Sequence, residues 1–414
     1  MNLFKTSILS LISTVIKVLS SLVLNKAMSV YVGPTGLAVV GQLQNTLQLI
    51  LVAAQGGMNS GLTKYTAEYT DTRAKHILWS TSFKLTIFCS IVVGFLLVVF
   101  SNLIALQSLG DIRFNYIFVC FGLTILLFSI NQFILSILNG LQEIKFFITT
   151  NIIQNLFTLV YSVLLIVLFK LDGILFALVT NQSVVLFILV VRIKKSKIIL
   201  LDFFKESFDF HEAKKLLVYS FMTFVSILTI PFSHIVIRNY ITSTLSLEQA
   251  GYWQAIWYIS ATYLMVITTT LSVYYLPKLS SIKEKGKLRK EIKNAYILVI
   301  PIAIFGASII FILRDFIVSI AFTPEFIPML VLFKWQMIGD VIKVASWLLS
   351  YLMLAKSLTK SFVISEVTFA TSFALLSMYF INEFGLVGVT YAYTINSLLY
   401  FLSMIFITKK VLWK

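Results

Sequence analysis

Twelve apolar segments run through this sequence, at about 8–30, 36–56, 77–100, 114–137, 147–169, 173–192, 216–239, 249–274, 294–313, 329–353, 361–381 and 386–407. Each has about the 20 residues that an α-helix needs to cross ~30 Å of hydrocarbon. Lipid offers no partner to a backbone N–H or C=O, so such a segment must satisfy its own by forming a helix. With 59% hydrophobic and 12% charged residues in 414, a water-soluble domain of this length could not hide its apolar surface. The expected fold class is therefore an all-α polytopic membrane protein with about 12 transmembrane helices. The start, MNLFKTSILSLISTVIKVLSS, has the basic opening of a signal peptide. Lys17 interrupts its apolar run and no small-residue cleavage site follows, so it reads as a retained first helix. Cys89 and Cys120 each fall inside a span and imply no disulfide framework.

The net charge of +16 would suggest nucleic acid in a soluble protein. Here the cations lie on alternate loops. One set of loops carries only Arg113, Lys170 and Arg314, while the other holds RIKKSK (192–197) and KEKGKLRKEIK (283–293). The positive-inside rule puts the rich loops and both termini in the cytoplasm. Orientation and contact with anionic lipid heads account for these basic runs, and no nucleic-acid recognition motif accompanies them.

The chain also matches itself at an offset of 215 residues. Gly36 aligns with Gly251, Lys145 with Lys360 and Phe147 with Phe362. FKLDGILFALVTNQS (169–183) lies over FGLVGVTYAYTINSL (384–398), where Phe169, Leu171, Gly173 and Asn181 match Phe384, Leu386, Gly388 and Asn396. Repeats of six spans share one orientation, related by an axis along the membrane normal. The expected organisation is two like-oriented six-helix lobes around a central cavity: residues 1–198, a basic cytoplasmic linker at 199–213, and 214–414.

Charges inside the spans carry the functional information. Asp340 and Lys343 sit mid-span, where each opposes insertion by roughly 2.5–3.5 kcal/mol. Gln336, Asp340, Lys343 and Trp347 follow i, i+4, i+7, i+11 and share a helix face. Pairing of Asp340 with Lys343 within the helix is the bland explanation; a wet cavity is the other. Span 1 has a second polar stripe in Ser10, Thr14, Lys17, Ser21 and Asn25. Span 2 offers Gln42, Asn45 and Gln48, and span 7 offers Thr223, Ser226 and Ser233. Lys26, Lys84, Lys334, Arg238 and Glu366 lie nearer span ends, where snorkelling competes with function. His234, one turn from Arg238, reads first as a neutral packing residue. The intramembrane balance is cationic, with six Lys and Arg against Asp340 and Glu366, so an anionic substrate is expected. An exporter of cationic drugs would need the reverse. No metal-ligand spacing, phosphate-cradling glycine loop or nucleophile–His–acid set is present. The expectation is a transporter rather than an enzyme, with no cofactor. The loops are too short for the large outer domain of a membrane glycan polymerase.

The segments YVGPTGLAVVGQ (31–42), GMNSGLTKYTAEY (57–69), VIRNY (236–240), VYYLPKLS (273–280) and FKWQMIGDVIKVASWLLSYLMLAK (333–356) resemble the Wzx-type flippases of the O-antigen group. Within these they are most similar to those serving the lipid-linked trisaccharide of enterobacterial common antigen. That family belongs to the multidrug/oligosaccharidyl-lipid/polysaccharide exporter superfamily. The resemblance implies two six-helix lobes around a V-shaped cavity in the bacterial inner membrane. It implies flipping of undecaprenyl-diphosphate-linked oligosaccharide from the cytoplasmic to the periplasmic leaflet by alternating access. Lys17, Arg238 and Lys343 would then hold the diphosphate. Asp340 and Glu366 would couple or gate, and Gln42, Asn45, Gln254, Trp257 and Trp347 would line the sugar path. A coupling ion, H+ or Na+, would serve resetting. The implied partners are the polyprenyl-linked oligosaccharide, membrane lipids, and polymerase or chain-length proteins of the glycan pathway. A multidrug exporter of the same fold is the alternative.

Overall fold

The computed structural model describes residues 3–141, 143–196, 201–271, 275, 278, 279, 282, 284–356 and 358–413. The side chains of Ser10, Thr223 and Ser226, and most of the 273–280 segment, lie outside the described residues. Among the described residues the regular elements are all helical. They are α1 (Leu3–Ala54), α2 (Asn59–Glu68), α3 (Thr72–Val99), α4 (Ser101–Leu109), α5 (Asn115–Gly140), α6 (Ile144–Ser196) and α7 (Phe210–Thr244). There follow α8 (Leu247–Thr270), α9 (Lys285–Ile312), α10 (Arg314–Ala321), α11 (Phe333–Ala355), α12 (Thr359–Phe384) and α13 (Val387–Trp413). Short 3-10 turns lie at Ile112–Phe114, Leu201–Lys205 and Pro324–Leu332.

Eight of these stretches are long and apolar enough to cross a membrane. Two of the eight, in α1 and α6, are each two expected spans run together. At 52 and 53 residues and 1.5 Å per residue, either would be more than twice the ~30 Å core if straight. Both break where the sequence predicts a span boundary. In α1 the break is Gly33 (φ 66°, ψ −172°), followed by Pro34. Proline lacks the N–H that would continue the ladder and disfavours α geometry before it, and glycine tolerates the positive φ. In α6 the break is Lys170 (φ 52°, ψ −122°). With both breaks counted, ten spans result, and α7 and α8 occupy the seventh and eighth expected positions.

The 215-residue repeat is visible in the geometry. Lys170 breaks α6 where Gly385 (φ 62°) separates α12 from α13. Just beyond, a Cβ on Gly173 would overlap Leu165 O, and one on Gly388 would overlap Phe380 O, a pair shifted by the same 215. The α5–α6 and α11–α13 contacts repeat as well. Asn131 Nδ2 donates to Gln182 Oε1 at 2.8 Å; at the shifted positions Ser346 Oγ donates to Ser397 O at 3.5 Å. One equivalence is exchanged between helices. Thr124 of α5 bonds Cys120 O at 2.9 Å, whereas in the second half Thr394 of α13 bonds the corresponding Trp335 O at 2.7 Å. A hydroxyl fills the same gap from opposite sides.

By contacts the chain forms two compact units, Met1–Tyr31 with Gln42–Pro231, and Val32–Gly41 with Phe232–Lys414. These bounds differ from the expected division. The described part of the expected basic linker, from 201 on, packs within the first unit, because Phe203 is buried against Trp79, Phe83 and Phe133. The turn that follows is held by α3: Ser80 Oγ and Lys84 Nζ both donate to Glu206 O, at 2.7 and 2.8 Å, and Asp209 N donates to Thr81 Oγ1. Lys84 thus binds this turn. The 32–41 segment belongs to the second unit because Gly251 lets α8 approach the backbone of Pro34, with Leu37, Ala38 and Val40 fully buried. Inside the first unit α3 and α5 touch backbone to backbone where Gly94 faces Gly122. Small residues allow such close packing, on which helix association in lipid depends.

Candidate functional site

The second unit holds a continuous polar and aromatic set. Arg238 of α7 is only 2% exposed. Its guanidinium lies over the Trp253 ring (5.3 Å to the centroid) and its Nη2 donates to Gln254 Oε1. Gln254 can reach it because position 41 is glycine, where any Cβ would collide with the Gln254 side chain. Next to this pair His234 packs among Trp253 (5.3 Å between ring centroids), Trp257 (4.6 Å) and Phe373 (6.4 Å). The expectation of a packing histidine fits that position. Trp257 then meets Tyr393 edge-on at 5.2 Å, and Trp257 Nε1 has no hydrogen-bond partner among the described residues.

Tyr393 leads to Asp340. The carboxyl is fully buried and accepts from Ser260 Oγ (2.6 Å), Tyr393 Oη (2.9 Å) and Gln336 Nε2 (3.3 Å). All three donors are neutral, and among the described residues Asp340 makes no ion pair. The intrahelical pairing with Lys343 therefore does not form. Asp340 turns toward α8 and α13, while Lys343 Nζ sits 4.2 Å from the Tyr400 ring centroid. Tyr400 Oη in turn donates to Glu366 Oε1 at 2.5 Å. Lys343 and Glu366 thus share one tyrosine, each meeting a different part of it. A cation over a ring face is attracted by the ring quadrupole, more so when desolvated.

The ten expected site residues divide by unit. Lys17, Gln42 and Asn45 belong to the first unit; Arg238, Gln254, Trp257, Asp340, Lys343, Trp347 and Glu366 belong to the second. Lys17 is exposed on α1, Gln42 is buried and Asn45 is half-buried. The structure joins Arg238, Gln254, Trp257 and Asp340 through shared neighbours, and Lys343 with Glu366 through Tyr400. Trp347 is half-buried against the apolar cluster around Leu348 and Tyr400. Sequence reasoning missed Ser260, Trp253, Tyr393, Tyr400 and Gly41. Tyr393 and Tyr400 stand seven apart, two turns on one face of α13, a spacing that would have flagged both. Nothing in the sequence marks Gly41.

A second polar cluster lies in the first unit, outside the spans. Tyr69 Oη donates to Glu212 Oε2 at 2.7 Å, and Lys215 Nζ donates to Glu212 Oε1 at 2.8 Å. Burial and the Glu212 carboxylate raise the Tyr69 pKa. The hydrogen bond to Glu212 raises that of Lys215, since it favours the charged ammonium.

Comparison with known proteins follows the same outline. Residues 3–283 match the family described as polysaccharide biosynthesis protein. The chain is 26% identical over 403 residues to the lipid III flippase of Escherichia coli (strain K12), spanning 97% of each chain, and equally so to that of Shigella flexneri. Among solved structures it is similar to an inward-facing multidrug resistance MATE transporter of the MOP superfamily. There the TM-score is 0.79 at 13% identity, over 96% of this chain and 94% of that one. It is also similar to lipid II flippase MurJ in an inward closed conformation, with TM-score 0.75 at 16% identity over 98% and 87%. At such identities the structural likeness speaks for the fold alone, an all-α polytopic one. The family match covers more than half of the sequence, including the break at Gly33, the Lys170 turn and Arg238: the chain belongs to the polysaccharide biosynthesis protein family.

Proposed function

We propose that this protein is a flippase moving undecaprenyl-diphosphate-linked oligosaccharide from the cytoplasmic to the periplasmic leaflet of the bacterial inner membrane. The observation that carries the reading is the collinear 26% identity, over 97% of both chains, with proteins named lipid III flippase. The buried charges support it. A fully buried arginine inside a membrane helix is costly and marks a function by default, and a cation of this kind suits a diphosphate. Arginine forms bidentate contacts with phosphate oxygens.

On this reading Lys17, Arg238 and Lys343 meet the diphosphate. Gln254 and Trp257 meet the sugars with Gln42, Asn45 and Trp347, and the free Trp257 N–H donates to a sugar hydroxyl. The polyprenyl chain stays in lipid. Both termini are cytoplasmic, as the distribution of Lys and Arg favours. Asp340 and Glu366 are the coupling or gating carboxyls, and H+ or Na+ is the candidate coupling ion. Polymerase and chain-length proteins of the glycan pathway are the protein partners. The test is deletion of the gene. The expected result is loss of one surface glycan while its lipid-linked precursor accumulates on the cytoplasmic side. An unchanged set of surface glycans, with no precursor accumulating, would defeat the reading.

A further inference from the structure

The helices α9 and α11 run antiparallel and pack together through the apolar cluster around Leu348. There Tyr296 Oη donates to Ala345 O at 2.7 Å. Toward the other end a cavity of about 500 Å³ separates them, walled by Ala307 and Phe311 of α9 and by Met337, Ile338 and Val341 of α11. Its lining is apolar except for Ser308 and one charged residue, Lys334. Lys334 is in the first turn of α11 and lines the cavity together with Ile312, the last residue of α9, so it is level with the end of that apolar helix. Arg314 lies at the same mouth, its guanidinium 4.5 Å from the centroid of the Phe311 ring, with the exposed Asp315 beside it. Lys334 is thus the one charged residue that lines the cavity itself.

We propose that this groove is a binding site for one anionic phospholipid, with an acyl chain between α9 and α11 and the phosphate on Lys334. Depth fits the chain. From Lys334 to Ile342 the helix rises about 12 Å, close to one leaflet of a ~30 Å core. The surroundings fit as well. α9 is mostly exposed along its apolar length, with Phe305 67% and Ile312 74% exposed, so the groove opens to lipid rather than to another helix of its unit. Filling it with a chain gains little by itself, because the competing solvent is equally apolar. Selection must then come from the head group. A lysine level with the end of an apolar helix favours an anionic over a zwitterionic head by about fivefold, the factor that ~1 kcal/mol per basic residue corresponds to. The inference rests on the chain being a membrane protein and is independent of what it transports.

The test is native mass spectrometry of the purified full-length protein, titrated with phosphatidylglycerol or phosphatidylethanolamine of matched chains. Wild type should retain one phosphatidylglycerol about fivefold more than phosphatidylethanolamine. Lys334→Gln should bring the two to parity. Ile338→Trp, at a side chain 39% exposed, should fill the groove and reduce retention of both without lowering the melting temperature. Equal retention of the two lipids by wild type would overturn the proposal. So would wild-type retention of phosphatidylglycerol in both variants. Retention of polyprenyl phosphate in place of phosphatidylglycerol would overturn it too, in favour of a carrier-lipid site.

Discussion

Lys170 occupies a backbone conformation that suits glycine, and glycine is what the repeat has at the matching position, Gly385. A side chain at φ 52°, ψ −122° is strained by roughly 1–3 kcal/mol. Part of that is offset because glycine loses more freedom on folding. Lys170→Gly should therefore stabilise the protein by on the order of 1 kcal/mol, read as a raised melting temperature in detergent; a lowered one would refute the strain. Removing this outer-loop cation also leaves the cytoplasmic bias of charge intact. Arg238 depends on a residue that bears no charge at all. Gly41→Ala should push Gln254 away from the guanidinium and cut transport with near-normal protein abundance, whereas an unaffected transport rate would separate Gln254 from Arg238 function. Charged positions such as Asp340 and Lys343 were legible in the sequence, since an acid and a base in mid-span cannot go unnoticed. Their partners were not legible. At three residues apart they share a face by periodicity, yet the rotation of α11 against α8, α12 and α13 sends one to Ser260 and Tyr393 and the other to Tyr400. A double-mutant comparison checks this. Asp340→Asn and Lys343→Gln should have additive effects on unfolding free energy, to within about 0.5 kcal/mol. Lys343→Gln and Glu366→Gln should be coupled more strongly. The opposite ranking would restore the intrahelical pair.

At the scale of elements, span boundaries were the most readable feature, because each is written in local chemistry. Gly33 with Pro34 ends one span, and Lys170 and Gly385 fall where the repeat aligns. The expected linker at 199–213 was less readable for the converse reason. Its charge marked it as a basic cytoplasmic linker, and Phe203 docks it by inserting among Trp79, Phe83 and Phe133. Tyr69, Glu212 and Lys215 then fasten its far end. Charge is read along the sequence, whereas docking depends on a pocket built by α3 and α5 far away in it. Phe203→Ala should free the turn and hasten trypsin cleavage at Lys205, an exposed residue within it, leaving cleavage elsewhere unchanged. A cleavage rate equal to that of wild type would mean that the polar fastenings suffice without the ring.

At the scale of the whole molecule, the charge that orients the protein and the charge it is proposed to carry obey the same membrane potential. Cations accumulate on one set of loops, so a reporter active only in the cytoplasm should work when fused after Lys195 or Lys290 and fail within 243–247. Activity at all three would defeat the even-span arrangement. The transported head group, on the proposed function, is an anion of about two charges at its diphosphate. Moving two negative charges outward across an inside-negative potential releases roughly 4–5 kcal/mol per 100 mV, enough to favour the loaded step by about a thousandfold at equilibrium. Once the substrate has left, the cations Arg238, Lys343 and Lys17 return without it, and on the proposed function an ion at Asp340, whose neighbours are neutral donors, serves that step. In proteoliposomes bearing a potassium diffusion potential, flipping of a diphosphate-linked oligosaccharide should quicken when the compartment it leaves is negative. It should slow when the sign is reversed. On the proposed function, in which the potential acts on the substrate and the carboxyl on resetting, Asp340→Asn should keep that voltage response while losing dependence on external pH or sodium. Equal rates at both signs of potential would remove the electrical drive from the mechanism. A variant that keeps full ion dependence would remove Asp340 from the resetting step.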